Sequence, residues 1–132
     1  MVKVQQINEK ETLKNMRTWL KYDFPRLVML SGKTKNYIRN AKNAQIHGDF
    51  DEKTDMEQLL DVVVEAFELL KEEDERGYKL VCSRYLDAAP WCTLTARFNL
   101  SSTQLQTINN KALIKLACYL SAETDGEINL IE

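Results

Sequence analysis

The segment that most constrains the fold of this chain runs from residue 90 to residue 120 and reads PWCTLTARFNLSSTQLQTINNKALIKLACYL. Pro90 suits the first turn of a helix, where the N–H that proline lacks would have no helical partner. Leu94 and Phe98 are four residues apart and share one face of that helix. Asn99 tolerates the left-handed conformation of a tight turn better than most side chains. The segment therefore predicts a short helix that ends at a tight turn.

A second helix is predicted to begin directly after this turn. Ser101 and Gln104 have the spacing of a capping box, in which each side chain bonds the backbone N–H of the other residue. Apolar residues then recur at helical spacing, at Leu105, Ile108, Ala112 and Leu116. The pattern is typical of a helix-turn-helix unit. It also fits an ordinary helical hairpin that contacts protein, and the spacing alone leaves this alternative open.

The outward face of the second helix carries no carboxylates. No Asp or Glu occurs between Asp87 and Glu123. A helix that enters the major groove of DNA needs short hydrogen-bonding groups for base edges and cations for phosphates. The residues that meet these needs, and that we predict to bind DNA, are Arg97, Ser102, Thr103, Gln106, Thr107, Asn110, Lys111 and Lys115. Gln106 and Asn110 are the predicted base readers, because an amide can bond adenine with two hydrogen bonds.

The composition argues against several other classes of protein. No apolar run approaches the ~20 residues that span a bilayer, and the first residues lack the apolar core of a signal peptide, so we expect a cytoplasmic protein without a membrane partner. The three cysteines form no CxxC pair and lie far from the single histidine, His47, so we expect no zinc site and no cofactor. No Ser/His/Asp set and no glycine-rich phosphate loop is recognisable. We therefore expect no enzymatic activity.

The formal net charge of −2 is unevenly distributed along the chain. Residues 1–50 carry ten Lys/Arg and four Asp/Glu, residues 51–76 carry three and eleven, and residues 77–132 carry five of each. Local sign matters more than the total for contacts with phosphates, because exposed charges are screened beyond ~8 Å at physiological salt. Only three cations lie on the two helices, so we expect a homodimer, a contribution from the basic N-terminal segment, or tethering to another protein.

Residues 1–50 predict a basic N-terminal helical arm. Asn8 and Glu11 form a plausible N-cap pair, and an apolar face follows at Leu13, Met16 and Leu20. Pro25 is expected to break or kink the helix and to move Phe24 out of the right-handed helical region. The cations Lys33, Lys35, Arg39 and Lys42 surround an aromatic residue, and such a run is either an auxiliary contact to a nucleic-acid backbone or a solvated surface.

The remaining segments complete a prediction of an all-α fold, a small helical bundle with a C-terminal helix-turn-helix and an N-terminal helical arm. A linker around His47 separates the arm, residues 1–50, from a domain at residues 54–132. Residues 54–71 predict an amphipathic helix with an acidic side, and a further helix is predicted from about Arg76 to Asp87. Three interpretations of the acidic C-terminal tail, residues 121–132, remain open: an apolar contact through Ile128, Leu130 and Ile131, a dimer contact, or disorder.

The order of two helices, a tight turn and a long final helix, over about residues 54–120, resembles the fourth region of bacterial sigma factors. Residues 78–85 and 93–117 are more similar to the RinA- and ArpU-like phage proteins that activate late-gene transcription, in which the last helix has an apolar continuation like Ala112-Leu113. The resemblance implies a DNA-binding activator that acts with host RNA polymerase in the host cytoplasm. Asn99 and Thr95 depart from the glycine and alanine that the group usually has.

Two alternative functions remain open from the sequence. A small terminase subunit for DNA packaging also joins a helix-turn-helix to an oligomerising helical region. The other alternative is a polymerase-binding or sigma-binding interaction protein that does not bind DNA. Such a protein would bind its partner through the acidic helix at residues 54–71.

Overall fold

A computed structural model describes residues 8–31, 55–124, 126 and 128–131, and all regular structure in these residues is helical. Helix α1 covers residues 9–30 as Glu9–Thr18, a π-helical turn Trp19–Asp23, and Phe24–Leu30. Helix α2 is Asp55–Glu73, and α3 covers residues 75–86 as Glu75–Val81 and a π-helical turn Cys82–Leu86. Helices α4 and α5 are Trp91–Phe98 and Ser102–Glu123. The predicted all-α bundle is confirmed.

Short polar side chains set the starts of two helices. The Glu11 N–H donates to Asn8 Oδ1 at 3.2 Å and thereby caps α1, as the sequence predicted. The Gly77 N–H donates to Asp74 Oδ1 at 2.9 Å and caps α3. Because Asp74 has φ −149°, its backbone is not helical, and it separates α2 from α3.

The expected effect of Pro25 on Phe24 is wrong. Phe24 has φ −66° and ψ −47°, which is right-handed helical backbone, and its N–H donates to the Trp19 carbonyl five residues earlier. This wider π-helical turn lies directly before the proline, where the ring would otherwise meet a carbonyl of the preceding turn. Helix α1 therefore continues past Pro25 instead of breaking there.

The main hydrophobic core joins α1, α2, α3 and α5. The aromatic rings at its α1 end are in contact: ring centres lie 5.2 Å apart for Trp19 and Phe24, and 5.6 Å apart for Phe24 and Phe67. Met16 and Leu20 of α1 are buried in the same cluster. The described part of the predicted N-terminal arm therefore shares a core with the rest of the chain, while the linker and the boundary at residue 50 lie outside the described residues.

A second, smaller core lies around α4. Its buried members are Leu80, Ala89, Leu94 and Leu105, and Trp91, Phe98, Leu100 and Ile108 pack against them. Helix α5 reaches both cores, because Leu105 belongs to the small core whereas Leu113 belongs to the main one. Close contact between α3 and α5 requires a glycine: a Cβ at Gly77 would lie 2.9 Å from the Ala112 Cβ.

The C-terminal segment packs on the main core. Ile128, Leu130 and Ile131 are half-buried against it, and Asn15 Nδ2 donates to the Leu130 carbonyl at 3.2 Å. Of the three interpretations of the C-terminal tail, the apolar contact is the one observed for Ile128, Leu130 and Ile131. Separately, no helix in the described parts of the chain combines the length and the apolar character needed to cross a membrane.

Ala88, between α3 and α4, has φ 55°, a conformation that a Cβ makes unfavourable by ~1–2 kcal/mol. We expect Ala88→Gly to raise the free energy of unfolding in urea by about 0.5–1 kcal/mol, because relief of this strain exceeds the entropic cost of glycine. The control Ala96→Gly, at an exposed position within α4, should lower it by about 1 kcal/mol. Equal losses in both variants would contradict the strain at Ala88.

Partial desolvation raises the pKa of the Glu65 carboxyl, and a hydrogen bond with Glu123 and the charges of Glu123 and Asp61 raise it further. Because this pKa is higher in the folded chain, protonation of the Glu65 carboxyl favours folding. Its contribution to the free energy of unfolding is fully present below the unfolded pKa of about 4.5 and is lost as the pH rises through the folded pKa. We expect Glu65→Gln to raise the free energy of unfolding at pH 7 but not near pH 4, with Glu72→Gln as the control for net charge. A gain of equal size at both pH values would contradict this linkage.

Candidate nucleic-acid interface

The turn between α4 and α5 has the backbone that the sequence predicted. Asn99 is left-handed, with φ 55° and ψ 45°, and the Leu100 N–H donates to the Thr95 carbonyl at 3.3 Å. The Thr95 hydroxyl donates to the Cys92 carbonyl at 2.8 Å, so this side chain is satisfied within its own helix. Asn99 and Thr95, the two departures from the sigma-like pattern, are thus both accommodated by local hydrogen bonds or backbone preference. Assignment of α4 and α5 to a DNA-binding helix-turn-helix stays a prediction.

The predicted capping box fixes the start of α5. The Gln104 N–H donates to Ser101 Oγ at 3.2 Å, and the Ser101 N–H donates to Gln104 Oε1 at 2.9 Å. The first turn of α5 contains no acidic residue. The positive partial charge at the start of α5 is therefore not neutralised by a carboxylate of the same turn.

We call the uncharged residues on the first half of α5 the amide-hydroxyl surface: Ser102, Thr103, Gln106, Thr107 and Asn110. The first four are exposed, and Asn110 is half-buried. The Thr107 hydroxyl donates to the Thr103 carbonyl at 3.0 Å, which leaves its oxygen able to accept further hydrogen bonds. The structure therefore leaves Gln106, the first predicted base reader, at the surface of the bundle.

The second predicted base reader, Asn110, is held by another helix. Arg17 Nη2 on α1 donates to Asn110 Oδ1 at 2.9 Å. The amide oxygen is thus occupied in the free protein by a cation that is 93 residues away in the sequence.

The predicted phosphate-binding cations do not form one group. Lys111 lies near Thr103 and Thr107 at a cavity also lined by Arg76 and Asp74. Lys115 Nζ lies 3.7 Å from Asp74 Oδ2, so an acid stands near this edge of α5 although α5 itself carries none there. Arg97 lines a different cavity together with Lys71 and Lys79. The predicted auxiliary cations Lys33, Lys35, Arg39 and Lys42 lie outside the described residues.

Sequence reasoning missed a row of cations on α1. The four residues are all exposed, and we call them the basic stripe: Lys10, Lys14, Arg17 and Lys21. Successive spacings of four, three and four residues place them on one face of a helix. This spacing was visible in the sequence, but nothing in the sequence indicated that Arg17 and Lys21 would lie beside α5.

One end of the basic stripe opens onto a cavity of about 730 Å³ between α1, the end of α3, the start of α4 and α5, which we call the basic cleft. Its lining includes the cations Arg17, Lys21 and Arg84 and the neutral residues Trp91, Gln106 and Asn109, and none of its described lining residues is acidic. Arg84 is held in place, since its Nη1 donates to the Ala89 carbonyl at 3.0 Å and its guanidinium carbon lies 5.0 Å from the centre of the Trp91 ring.

A buried amide lies at the inner side of the basic cleft. Asn109 is 1% exposed, its Nδ2 donates to the Tyr85 hydroxyl at 3.1 Å, and its Oδ1 has no partner among the described residues. Sequence reasoning missed this residue, although its spacing of four residues from both Leu105 and Leu113 places it on the buried side of α5. The described residues contain no group of three or more His, Cys, Asp or Glu that could hold a metal ion.

Three comparisons with known proteins complete the description of this interface. No family model, no curated protein and no solved structure matches the chain. The resemblance to the RinA- and ArpU-like activators and to the sigma-factor region therefore stays a prediction that rests on the residues of α3, α4 and α5.

Proposed function

We propose that this chain is a sequence-specific DNA-binding transcriptional regulator that places the first half of α5 in the major groove of double-stranded DNA. The observation that carries the proposal is the exposure of the amide-hydroxyl surface on a helix whose other side is anchored by the fully buried Leu105. Amides and hydroxyls can both donate and accept hydrogen bonds, which is what distinguishing base edges requires. We propose a binding role and no catalytic one.

Each residue of the surface has a proposed role. Gln106 reads one base, with adenine the natural partner for the two hydrogen bonds of an amide. Asn110, one turn further along, reads a second base after Arg17 releases it. Ser102, Thr103 and Thr107 contact bases or phosphates, and Lys111 contacts the phosphate backbone. Lys115 and Arg97 add weaker phosphate contacts, since Lys115 is near Asp74 and Arg97 lies at a separate cavity.

The finer assignment rests on the sequence resemblance. This resemblance supports a phage late-gene activator that works with host RNA polymerase in the host cytoplasm. We propose that it binds as a homodimer, because two copies would double the few phosphate contacts available to one α4–α5 pair.

The acidic side of α2 favours a second candidate function. Glu65 is exposed on this helix, and Asp61 and Glu68 are half-buried on it. Such a surface suits a basic patch on polymerase or on a sigma factor, and an interaction protein of this kind would need no DNA.

Selection of DNA from a random library, followed by binding of the selected sequences across a salt series, tests the proposal. An enriched motif and a steep loss of affinity with salt would support the regulator. Binding to polymerase without DNA affinity at low salt would support the interaction protein. Assembly into a ring in solution, together with DNA binding, would support a small terminase subunit instead.

Replacement of Gln106 by alanine is expected to lower affinity for the selected sequence by about 1–3 kcal/mol and to relax the preference at one base pair. Non-specific binding should stay unchanged, because the amide makes no contact that every sequence shares. Gln58→Ala, at an exposed position on α2, is the matched control. If Gln106→Ala kept both the affinity and the preference, the assignment of Gln106 as a base reader would be wrong.

Lys111→Ala is expected to weaken binding to all sequences alike and to reduce the slope of log affinity against log salt by about 1. Fluorescence anisotropy with a selected and a scrambled duplex measures both effects. Lys79→Ala is the control, since it removes the same charge from an exposed residue of α3 whose Nζ lies 3.2 Å from Glu75. An effect confined to the selected duplex would mean that Lys111 reads bases instead.

A further inference from the structure

The basic cleft gathers three cations from two parts of the chain that are far apart in sequence. Arg17 and Lys21 come from α1, and Arg84 comes from the end of α3. Like charges placed around one cavity repel each other, and no carboxylate among the described lining residues offsets them. An anion in the cleft would relieve this repulsion and would meet cations from both sides.

The Tyr85 hydroxyl and the fixed Arg84 guanidinium of the cleft suit an anion with oxygen acceptors. The Tyr85 oxygen accepts a hydrogen bond from Asn109 Nδ2, so the hydroxyl proton of Tyr85 is directed elsewhere and is free to be donated. Arg84 is fixed in orientation by the Ala89 carbonyl and by the Trp91 ring, so little side-chain entropy is lost when it binds. The planar fork of donors on a guanidinium group matches the oxygens of a phosphate, with which it can form two parallel hydrogen bonds.

We propose that the basic cleft binds a phosphate group, and that Arg17 exchanges Asn110 for this phosphate. The hydrogen bond from Arg17 to Asn110 lies at the surface, where its net contribution is small, whereas a guanidinium–phosphate pair is charge-assisted on both sides. Release of Asn110 then follows from phosphate binding.

The cleft and the amide-hydroxyl surface share Gln106, so a ligand in the cleft lies next to the predicted base readers. The favoured source of the phosphate is therefore the backbone of the DNA whose groove receives α5, and this part of the inference rests on the proposed function. The exchange makes base reading by Asn110 depend on engagement of the backbone by α1. A free phosphate compound has the same chemistry and is the other source.

The test uses the full chain labelled with ¹⁵N and two probes, inorganic phosphate and a duplex of about 20 base pairs. The chain has two tryptophans, which report separately: the Trp91 indole lines the cleft, and the Trp19 indole is buried in the main core. Both probes should shift the indole N–H signal of Trp91 and the side-chain amide signal of Asn110, and leave the indole signal of Trp19 in place. In Arg17→Gln the Asn110 signal should no longer respond to inorganic phosphate, because the link from the cleft to this amide runs through Arg17.

Two further variants measure the phosphate contacts in the duplex. Arg17→Gln and Lys21→Gln should each lower affinity for the duplex roughly 3- to 10-fold and reduce the salt slope by about 1. Arg26→Gln is the matched control, because it removes the same charge from an exposed position of α1 that does not line the cleft. Equal losses in the control would overturn the cleft as the site, since they would reflect net charge alone.

The outcomes separate this inference from the proposed function. If Gln106→Ala alters sequence preference while Arg17→Gln and Lys21→Gln bind the duplex as wild type, the cleft does not bind a backbone phosphate, that part of the inference is overturned, and the DNA-binding proposal stands. If inorganic phosphate shifts the Trp91 signal but no duplex binds, the cleft takes a free phosphate compound and the DNA-binding proposal fails. If neither probe shifts the Trp91 signal, the inference is overturned.

Discussion

Burial of one side of α5 is the constraint on which the rest of the molecule depends. Leu105 is fully buried in the small core, and Leu113, Leu116 and Leu120 are fully buried in the main core. Each such leucine stabilises the folded chain by about 1.5–3 kcal/mol, whereas an exposed ion pair such as Lys115–Asp74 contributes about 0–1 kcal/mol. The rotation of α5 about its axis is therefore set by apolar contacts, and its polar side must face outward.

Helix α1 is placed beside α5 by the same kind of contact. Met16 and Leu20 are buried in the main core, and Arg17, between them in sequence, is exposed. The hydrogen bond between Arg17 and Asn110 is thus a consequence of where the core puts α1, and it does not hold α1 in place. Arg17 can therefore exchange its hydrogen bond with Asn110 for a stronger contact without disturbing the fold. Phosphate binding in the basic cleft would be such an exchange.

The electrostatics of the molecule follow from this arrangement more than from its net charge. The chain as a whole is at −2, but Arg17, Lys21 and Arg84 place cations along one flank of α5. On another flank Lys111 and Lys115 share their surroundings with Asp74. Because screening limits exposed charges to a range of ~8 Å, a phosphate at the basic cleft would be affected mainly by the cations that line it, and none of the described lining residues is acidic. The strongest phosphate contacts are then expected from α1 and not from α5.

The sequence by itself determined the features that arise within one or two helical turns. The sequence predicted the cap at Asn8, the left-handed Asn99, the capping box of Ser101 and Gln104, and the starts of α3, α4 and α5, because each depends on neighbours at most five residues away. The path of α1 through Pro25 was not predicted, since the π-helical turn that accommodates the ring is favoured by burial of Trp19 and Phe24 in the core. Only the tertiary structure decided the surroundings of three of the four amides of α5: Gln106 is exposed, Asn109 is buried against Tyr85 24 residues away, and Asn110 is held by Arg17 93 residues away. Their spacing on the helix is a local property, but the groups that surround them are brought there by packing between distant segments.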